Sequence, residues 1–493
     1  MAGKLSRRLS AQDAAFLYFE KPQAPLHIGS LGVYEGRIPF ERFVDQIASR
    51  MPMIPRYRQR VTFVPFSLEL PTWDDDPAFD VRNHIHHIAL AAPGDDRQLR
   101  ELTAELFSQP LDRGRPLWEM YVIDGLKEGN TGIVSKVHHC MVDGVSGIEL
   151  LLATLDLSPE PAPPPEDDGW NPQALPGPVA RLTDAFWEQL NRQREIALDI
   201  QQAFLDPVSR FEQGQEILRA LNLASTHIGG FGRRAPFSTR LGQERCVAFS
   251  EMSFVEIREI RASLGGTVND VVLTILAGAL RLYLRHHGDD VASIEPAVAI
   301  PVNVRVEGGD PALGNRVSFM VTALPLGEAD ASARLQRVRD RMDLLKKENQ
   351  ASGLERLVRL AARIPAPAQA LAGQFADDRS LVDLICTNVP GPMIPLYSLG
   401  HLLLQHYPLV PLSFDMGLGV GVMSYNHRLY FGLMAHPAAV PDIERLKECV
   451  DQSFLELRRA AGVDTTDLPA LDGSPARNGT QVVQEASVGQ GSG

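Results

Sequence analysis

Val137-His138-His139-Cys140-Met141-Val142-Asp143-Gly144 is the stretch on which the reading of this chain turns. Gly132 to His138 before it has the apolar run of a strand, and Ser146 to Leu155 after it has helical spacing. Two adjacent histidines and an Asp-Gly pair therefore sit where a strand gives way to a helix. With 13 histidines and 40 glycines in 493 residues, the pattern arises by chance in roughly two chains per thousand. Histidine titrates near neutral pH, which suits it to take a proton from an alcohol or amine. Neighbouring side chains on a strand face opposite ways, so one of the pair is expected to reach a given cleft. Asp143 can fix the turn by a salt bridge or hydrogen bond, and Gly144 permits close backbone packing at the bend.

The residues alone leave other uses open. The pair could be a packed core feature. It could ligate metal, although the helical His-x-x-x-His spacing is absent. Cys140 could act as a nucleophile, but on a strand it would point away from its neighbour His139. No Gly-x-Ser-x-Gly elbow supports a serine nucleophile.

Outward from the motif, strand-like and helix-like segments alternate. Leu31 to Glu35, Val61 to Val64, Val81 to Leu90 and Met120 to Asp124 read as strands, and Arg97 to Leu106 as a helix with Leu99, Leu102 and Leu106 on one side. This first block, 1–156, ends at the acidic, proline-rich run that starts at Ser158 and is expected to be extended. From Val179 to Leu223 the spacing is helical, so 157–245 reads as linker and connector. A second block, 246–463, carries helices at 254–264, 268–284 and 443–459. Its strands are expected at 297–304, 317–324 and 381–386, with a hairpin about Asn426-His427-Arg428. The tail, 464–493, is polar and expected to be disordered. The fold class is α/β (α+β) in two similar-sized halves, with a site expected at their interface.

The balance of 48 basic and 61 acidic residues gives a net charge of −13. That excludes the electrostatic footprint of a nucleic-acid binder and a general attraction to anionic membranes. The four cysteines form no Cys-x-x-Cys pair, so no zinc ribbon or dithiol motif is indicated. The basic N-terminus lacks an apolar run behind it, and Val271 to Leu284 is too short to span a bilayer. A cytoplasmic location is expected. Leu354, Leu357, Val358, Ala361 and Ile364 form one face of a basic helix that could lie on a membrane, although packing on the core is the plainer reading. His84, His86 and His87 are expected on a solvated strand face rather than at a metal.

HHxxxDG resembles the signature of the CoA-dependent acyltransferase superfamily. Further segments narrow this to the bacterial wax ester synthase/diacylglycerol acyltransferase family. They are Leu9-Ser-Ala-Gln-Asp-Ala-Ala-Phe-Leu with His27-Ile-Gly, Pro116-Leu-Trp-Glu, Val268-Asn-Asp-Val, Pro301-Val-Asn-Val-Arg, Gly314-Asn-Arg-Val and Thr387-Asn-Val-Pro-Gly-Pro. The likeness runs from about residue 5 to about residue 460. It implies two chloramphenicol-acetyltransferase-like domains with the active-site tunnel between them. His139 is then the general base for direct attack of an acceptor hydroxyl on an acyl-CoA thioester, with no acyl-enzyme. The same resemblance gives His138 and Gly144 places in the motif and Asp143 a structural role. Asn269 and Asp270 shape the site from the second half, and Trp118 belongs to the Pro-Leu-Trp text. Asn269, Ser413 or backbone amides are candidates for the oxyanion. Read plainly, Trp118 is a core aromatic and Asn269 a helix N-cap.

The implied substrates are acyl-CoA with diacylglycerol or a long-chain alcohol. No cofactor or metal is called for, and contact with a membrane or lipid-droplet surface is expected. A carrier-protein-dependent condensation enzyme and a non-catalytic lipid-binding relative are the alternatives.

Overall fold

The computed structural model describes residues 7–141, 151–187 apart from 167, 173, 176 and 178, 235–303, 317–347 and 382–464, with single positions at 190, 367 and 371. In chain order the strands are β1 (His27–Tyr34), β2 (Gln59–Thr62), β3 (Thr72–Asp75), β4 (Ile85–Ala89), β5 (Trp118–Asp124), β6 (Thr131–His138), β7 (Cys246–Ser253), β8 (Ala297–Asn303), β9 (Val317–Ala323), β10 (Leu384–Pro390), β11 (Tyr397–Ser398), β12 (His401–Leu409), β13 (Leu418–Tyr425) and β14 (Arg428–Ala435). They form a sheet in the order β11-β12-β1-β6-β5-β4, a second in the order β7-β14-β13-β10-β8-β9, and a small β2-β3 pair. The main helices are α1 (Ala11–Phe19), α2 (Phe40–Arg50), α3 (Asp96–Ser108), α4 (Phe254–Leu264), α5 (Val268–His286), α6 (Ala331–Lys347) and α7 (Ile443–Ala460).

Local chemistry accounts for several of these bounds. Asp95 caps α3 through a reciprocal capping box with Gln98, which satisfies two otherwise orphan amides. The β13-β14 hairpin turns on Asn426 and His427, both at positive φ, a conformation that twists with the flanking strands. The segment read as one strand from Val81 to Leu90 begins instead with a short helical turn, Val81–Asn83, capped by Asp80. Pairing starts only at Ile85. Between α4 and α5 the chain bends through 99° at Gly265 and Gly266, both at positive φ, where a side chain is strained.

Two strands of the first sheet come from late in the sequence. β12 pairs antiparallel with β1 along Gly29 to Tyr34, and β11 extends the edge beyond it. β12 also touches the second sheet. Gly421 and Gly432 face each other across β13 and β14, and a Cβ on Gly432 would lie 1.8 Å from the Pro408 carbonyl oxygen of β12. The glycine pair is thus a notch that admits the backbone of β12. Above it Tyr407 stacks on Phe249 at 4.5 Å and meets Tyr430 edge-on. Consequently the apolar core of the first half includes Leu403, Tyr407, Leu409 and Tyr430.

The other large core surrounds α5, whose residues Val271 to Leu280 are all buried. Among the described residues no single helix is long and apolar enough to cross a membrane. The amphipathic face at 354–364, the 191–223 part of the connector, and the tail from 465 lie outside the described residues.

Candidate active site

β6 delivers the histidines. It is the inner neighbour of both β1 and β5, with His27 opposite His138 and Trp118 opposite Val137. β6 ends at His138, and His139 is the first residue of the turn that follows. The pair is therefore divided by the end of the strand as well as by strand alternation.

His138 is 1% exposed. Its Nδ1 accepts from the Cys140 amide at 3.1 Å, so the ring proton belongs on Nε2. Nε2 faces Glu20 Oε1 at 3.4 Å. Glu20 also accepts from the Leu26 amide (2.9 Å) and from Nε and Nη2 of Arg113 (3.2 and 2.8 Å). Burial alone would push the Glu20 carboxyl up, but His138, Arg113 and the Leu26 amide together hold it down at about 2. It is an anion at neutral pH, and it ties the end of α1 to the end of β6. The sequence reading missed Glu20, because it lies 118 residues before its partner and carries no motif of its own.

His139 is half-buried. Its amide donates to the Leu26 carbonyl at 2.9 Å, and its ring stacks on Phe16 of α1 at 4.1 Å and 13°. Phe16 fixes the plane of the ring and Leu26 fixes the backbone beneath it. Cys140 is buried in an apolar cluster with Leu17, Leu111 and Leu117. Burial, with Asp13 and Glu20 nearby, pushes its thiol well above the usual range, so it is not a ready thiolate. Asp143 and Gly144 lie outside the described residues.

The rest of the β6 neighbourhood holds buried charge. Lys136 Nζ reaches Glu119 Oε2 and the carbonyls of Leu106 and Gln109, each at 3.1 Å. Burial lowers its pKa and Glu119 opposes the shift. His27 Nε2 lies 3.0 Å from the Phe107 carbonyl. Burial, then the charge of Lys136, pushes its pKa well below normal.

Trp118 is 1% exposed, donates its indole N–H to the Tyr57 carbonyl at 2.8 Å and stacks on His84. It backs the motif strand from inside the core, as the plain reading had it, rather than presenting a face to a ligand. The expectation of a solvated histidine face needs correction at His84 alone, which is buried and bound to the Trp118 carbonyl at 2.9 Å. His87 is exposed, with a bond to Asp124 at 2.9 Å. Among the described residues no group of three His, Cys, Asp or Glu could hold a metal.

In the second half the cap of α5 is Thr267, not Asn269. Asp270 Oδ2 accepts from the Thr267 amide and hydroxyl, both at 2.8 Å, and the Asp270 amide donates back to the hydroxyl. Thr267 wins because a capping box needs an acidic or amide residue three places on, and Asp270 supplies it. Asn269 is left half-buried in the first turn, with no capping duty. Ser413 lies in the 411–416 loop after β12, where its carbonyl accepts from the Met416 amide. The next residue, Phe414, meets Phe19 of α1 edge-on at 5.9 Å. This loop of the second half therefore rests on the helix that supplies Phe16 and Glu20.

The sequence matches the family model for the wax ester synthase/diacylglycerol acyltransferase catalytic domain over residues 9–272, and that for the WS/DGAT C-terminal domain over 313–458. A probable diacylglycerol O-acyltransferase of Mycobacterium tuberculosis is 31% identical over 457 residues, covering 91% of this chain and 95% of the relative. The wax ester synthase/diacylglycerol acyltransferase from Marinobacter aquaeolei VT8 superposes with a TM-score of 0.64 at 25% identity, covering 92% of this chain and all of that one. The starter condensation domain of rhizomide synthetase, solved with C8-CoA and Leu-SNAC, shares the fold, with a TM-score of 0.54 at 16% identity and 94% and 97% coverage.

Proposed function

This chain belongs to the wax ester synthase/diacylglycerol acyltransferase family, and from that premise we propose that it is an O-acyltransferase moving a long-chain acyl group from acyl-CoA to diacylglycerol, with long-chain alcohols as a second acceptor. His139 takes the proton from the acceptor hydroxyl as its oxygen attacks the thioester carbonyl carbon. The tetrahedral intermediate collapses by breaking the carbon–sulfur bond. The proton held by the imidazole then neutralises the departing CoA thiolate. The ester and free CoA are the products, and no acyl-enzyme forms.

The division of labour between the two histidines carries this reading. His138 is buried with its proton directed at Glu20, while His139 is half-buried at the turn with its ring plane set by Phe16. A general base must be both oriented and reachable, and His139 alone of the pair meets both conditions. His138, Glu20 and Arg113 are positioning residues under this reading. Asp143 and Gly144 hold the turn, while Asn269, Asp270 and Ser413 shape the opposing wall. Contact with a membrane or lipid-droplet surface follows from a water-insoluble acceptor and product.

The test is an assay with palmitoyl-CoA and a panel of acceptors, following free CoA and ester together. Ester formation from diacylglycerol with stoichiometric CoA is expected, and its loss in His139→Ala. Transfer only from carrier-protein thioesters would favour a condensation-type enzyme, and transfer that persists in His139→Ala would overturn the mechanism.

A further inference from the structure

Beside the histidine turn, β2, the turn after Leu111, Leu175 and Arg181 enclose a cleft of about 310 Å³, in which Arg60, Arg113 and Arg181 converge with Phe63 and Leu175 between them. Its apolar floor continues into the turn. Val61 and Cys140 belong to one buried cluster, against which Phe63 and Met141 pack. Its cationic wall continues as well, since the Arg113 that lines the cleft also grips Glu20, the partner of His138.

The three arginines are not equally compensated. Arg113 is paired with Glu20. Arg60 of β2 sits directly opposite Asp74 of β3, but that carboxylate is taken by Arg7 at 3.0 Å and by the Thr72 hydroxyl at 2.7 Å. Arg181 is held in place through Nη1, which donates to the Phe63 carbonyl at 3.1 Å. Among the described residues neither Arg60 nor Arg181 has a carboxylate within ion-pair distance, and the Nε of each is shut off from solvent with no acceptor. Like charges gathered in a cleft repel, and buried donors without acceptors are costly. An anion of charge near −2 with several oxygens removes both penalties. A phosphate monoester at neutral pH has that charge, and its oxygens match the guanidinium fork.

We propose that this cleft binds a phosphate monoester, and that the monoester is the ribose phosphate of the CoA donor. The second assignment rests on the acyl-CoA reading above. It would anchor the donor by its nucleotide end beside the turn that bears His139, and it gives a chain of net charge −13 the local cationic site that a polyanionic substrate needs.

Two measurements test it, one of which needs no turnover. Calorimetric titration of adenosine 3′,5′-bisphosphate should show binding to the wild type that weakens roughly 10-fold in Arg60→Gln and in Arg181→Gln, the scale of one lost charge-assisted hydrogen bond. Arg181→Lys, which keeps the charge but loses the fork, should fall between. Kinetically, the wild type should prefer palmitoyl-CoA to palmitoyl-dephospho-CoA, and both Gln variants should lose that preference through KM. Arg97→Gln, an exposed arginine paired with Glu101, controls for general charge and should change neither. Unaltered bisphosphate affinity in variants whose Tm matches wild type would overturn the proposal. So would variants that lose binding to phosphatidate vesicles while keeping the bisphosphate, since the site would then serve a lipid headgroup.

Discussion

The two six-stranded sheets solve opposite problems. The first buries basic side chains within its strands: His27, Lys136, His138 and His406 are each no more than 5% exposed. The second packs against α5, where Val271, Val272, Leu273, Ile275 and Leu276 are at most 1% exposed, and its most deeply buried ions, Glu256, Asp270 and Arg334, sit in the helix layer. Hydrocarbon burial is the cheaper way to hold a fold, because a buried charge has to recover its desolvation through partners. The first sheet accepts that cost next to the histidine turn, and the second supplies apolar packing.

The largest effects should separate the two. His139→Ala should lower acyl transfer by ~10²–10⁴-fold with little change in thermal midpoint, since the residue is only partly buried and belongs to none of the apolar cores. Leu276→Ala should do the reverse, costing ~2–5 kcal/mol of stability while the folded enzyme keeps its kcat. Parallel melting and single-turnover measurements check the crossing. Equal losses of activity and stability in both variants would dissolve the contrast.

The seam between the sheets should be nearly as sensitive. Gly432→Ala puts a methyl carbon where the Pro408 carbonyl now lies, 1.8 Å away. β12 must then shift, at a cost of ~1–3 kcal/mol or more. Denaturant titration with separate probes in the two halves should show them losing coincidence. Retained coincidence at wild-type stability would mean that the notch is slack.

Acid should find the first sheet before the second. Burial pushes His406 of β12 down to about 4, below the 6.5 of the unfolded chain. The fold therefore excludes a proton that the unfolded state binds. The stability it withholds is fully present above pH 6.5 and declines as pH falls from 6.5 toward 4, by ~3 kcal/mol. Glu20 acts in a lower window. With its folded pKa at about 2 against 4.5 in the unfolded chain, its contribution is present above 4.5 and lost between 4.5 and 2. Denaturation midpoints measured from pH 7 to pH 3 should flatten in the upper window for His406→Gln and in the lower one for Glu20→Gln. The smallest effect expected is that of Cys140→Ala, on the order of 1 kcal/mol of stability with acyl transfer retained. Loss of transfer there at unchanged Tm would revive the thiol as a nucleophile.

Much of this was legible in the sequence because it is written locally. The helices at 268–284 and 443–459 come within two residues of α5 and α7, since an apolar period of 3.6 needs no distant information. The β13-β14 hairpin was legible from Asn426-His427, residues that tolerate positive φ. The histidine motif was visible because its members are adjacent. What failed depended on distant partners. β12 carries His401, Gln405 and His406 and reads poorly as a strand, yet β1 on one side and the glycine notch on the other make it one. His84 reads as solvated, yet Trp118 is brought over it and buries it. Asn269 reads as the cap of α5, until the acceptor geometry of Asp270 selects Thr267.

The sequence by itself determined the family, the α/β class and the histidine pair, because each rests on short-range pattern. Only the tertiary structure decided which histidine is locked and which is reachable. That choice is made by Glu20, Arg113 and Phe16, whose separations along the chain from the motif run from 25 to more than 100 residues. Neither a hydrogen bond to a buried carboxylate nor a stacked ring leaves a periodic trace in the sequence, because both are set by where strands and helices meet in space.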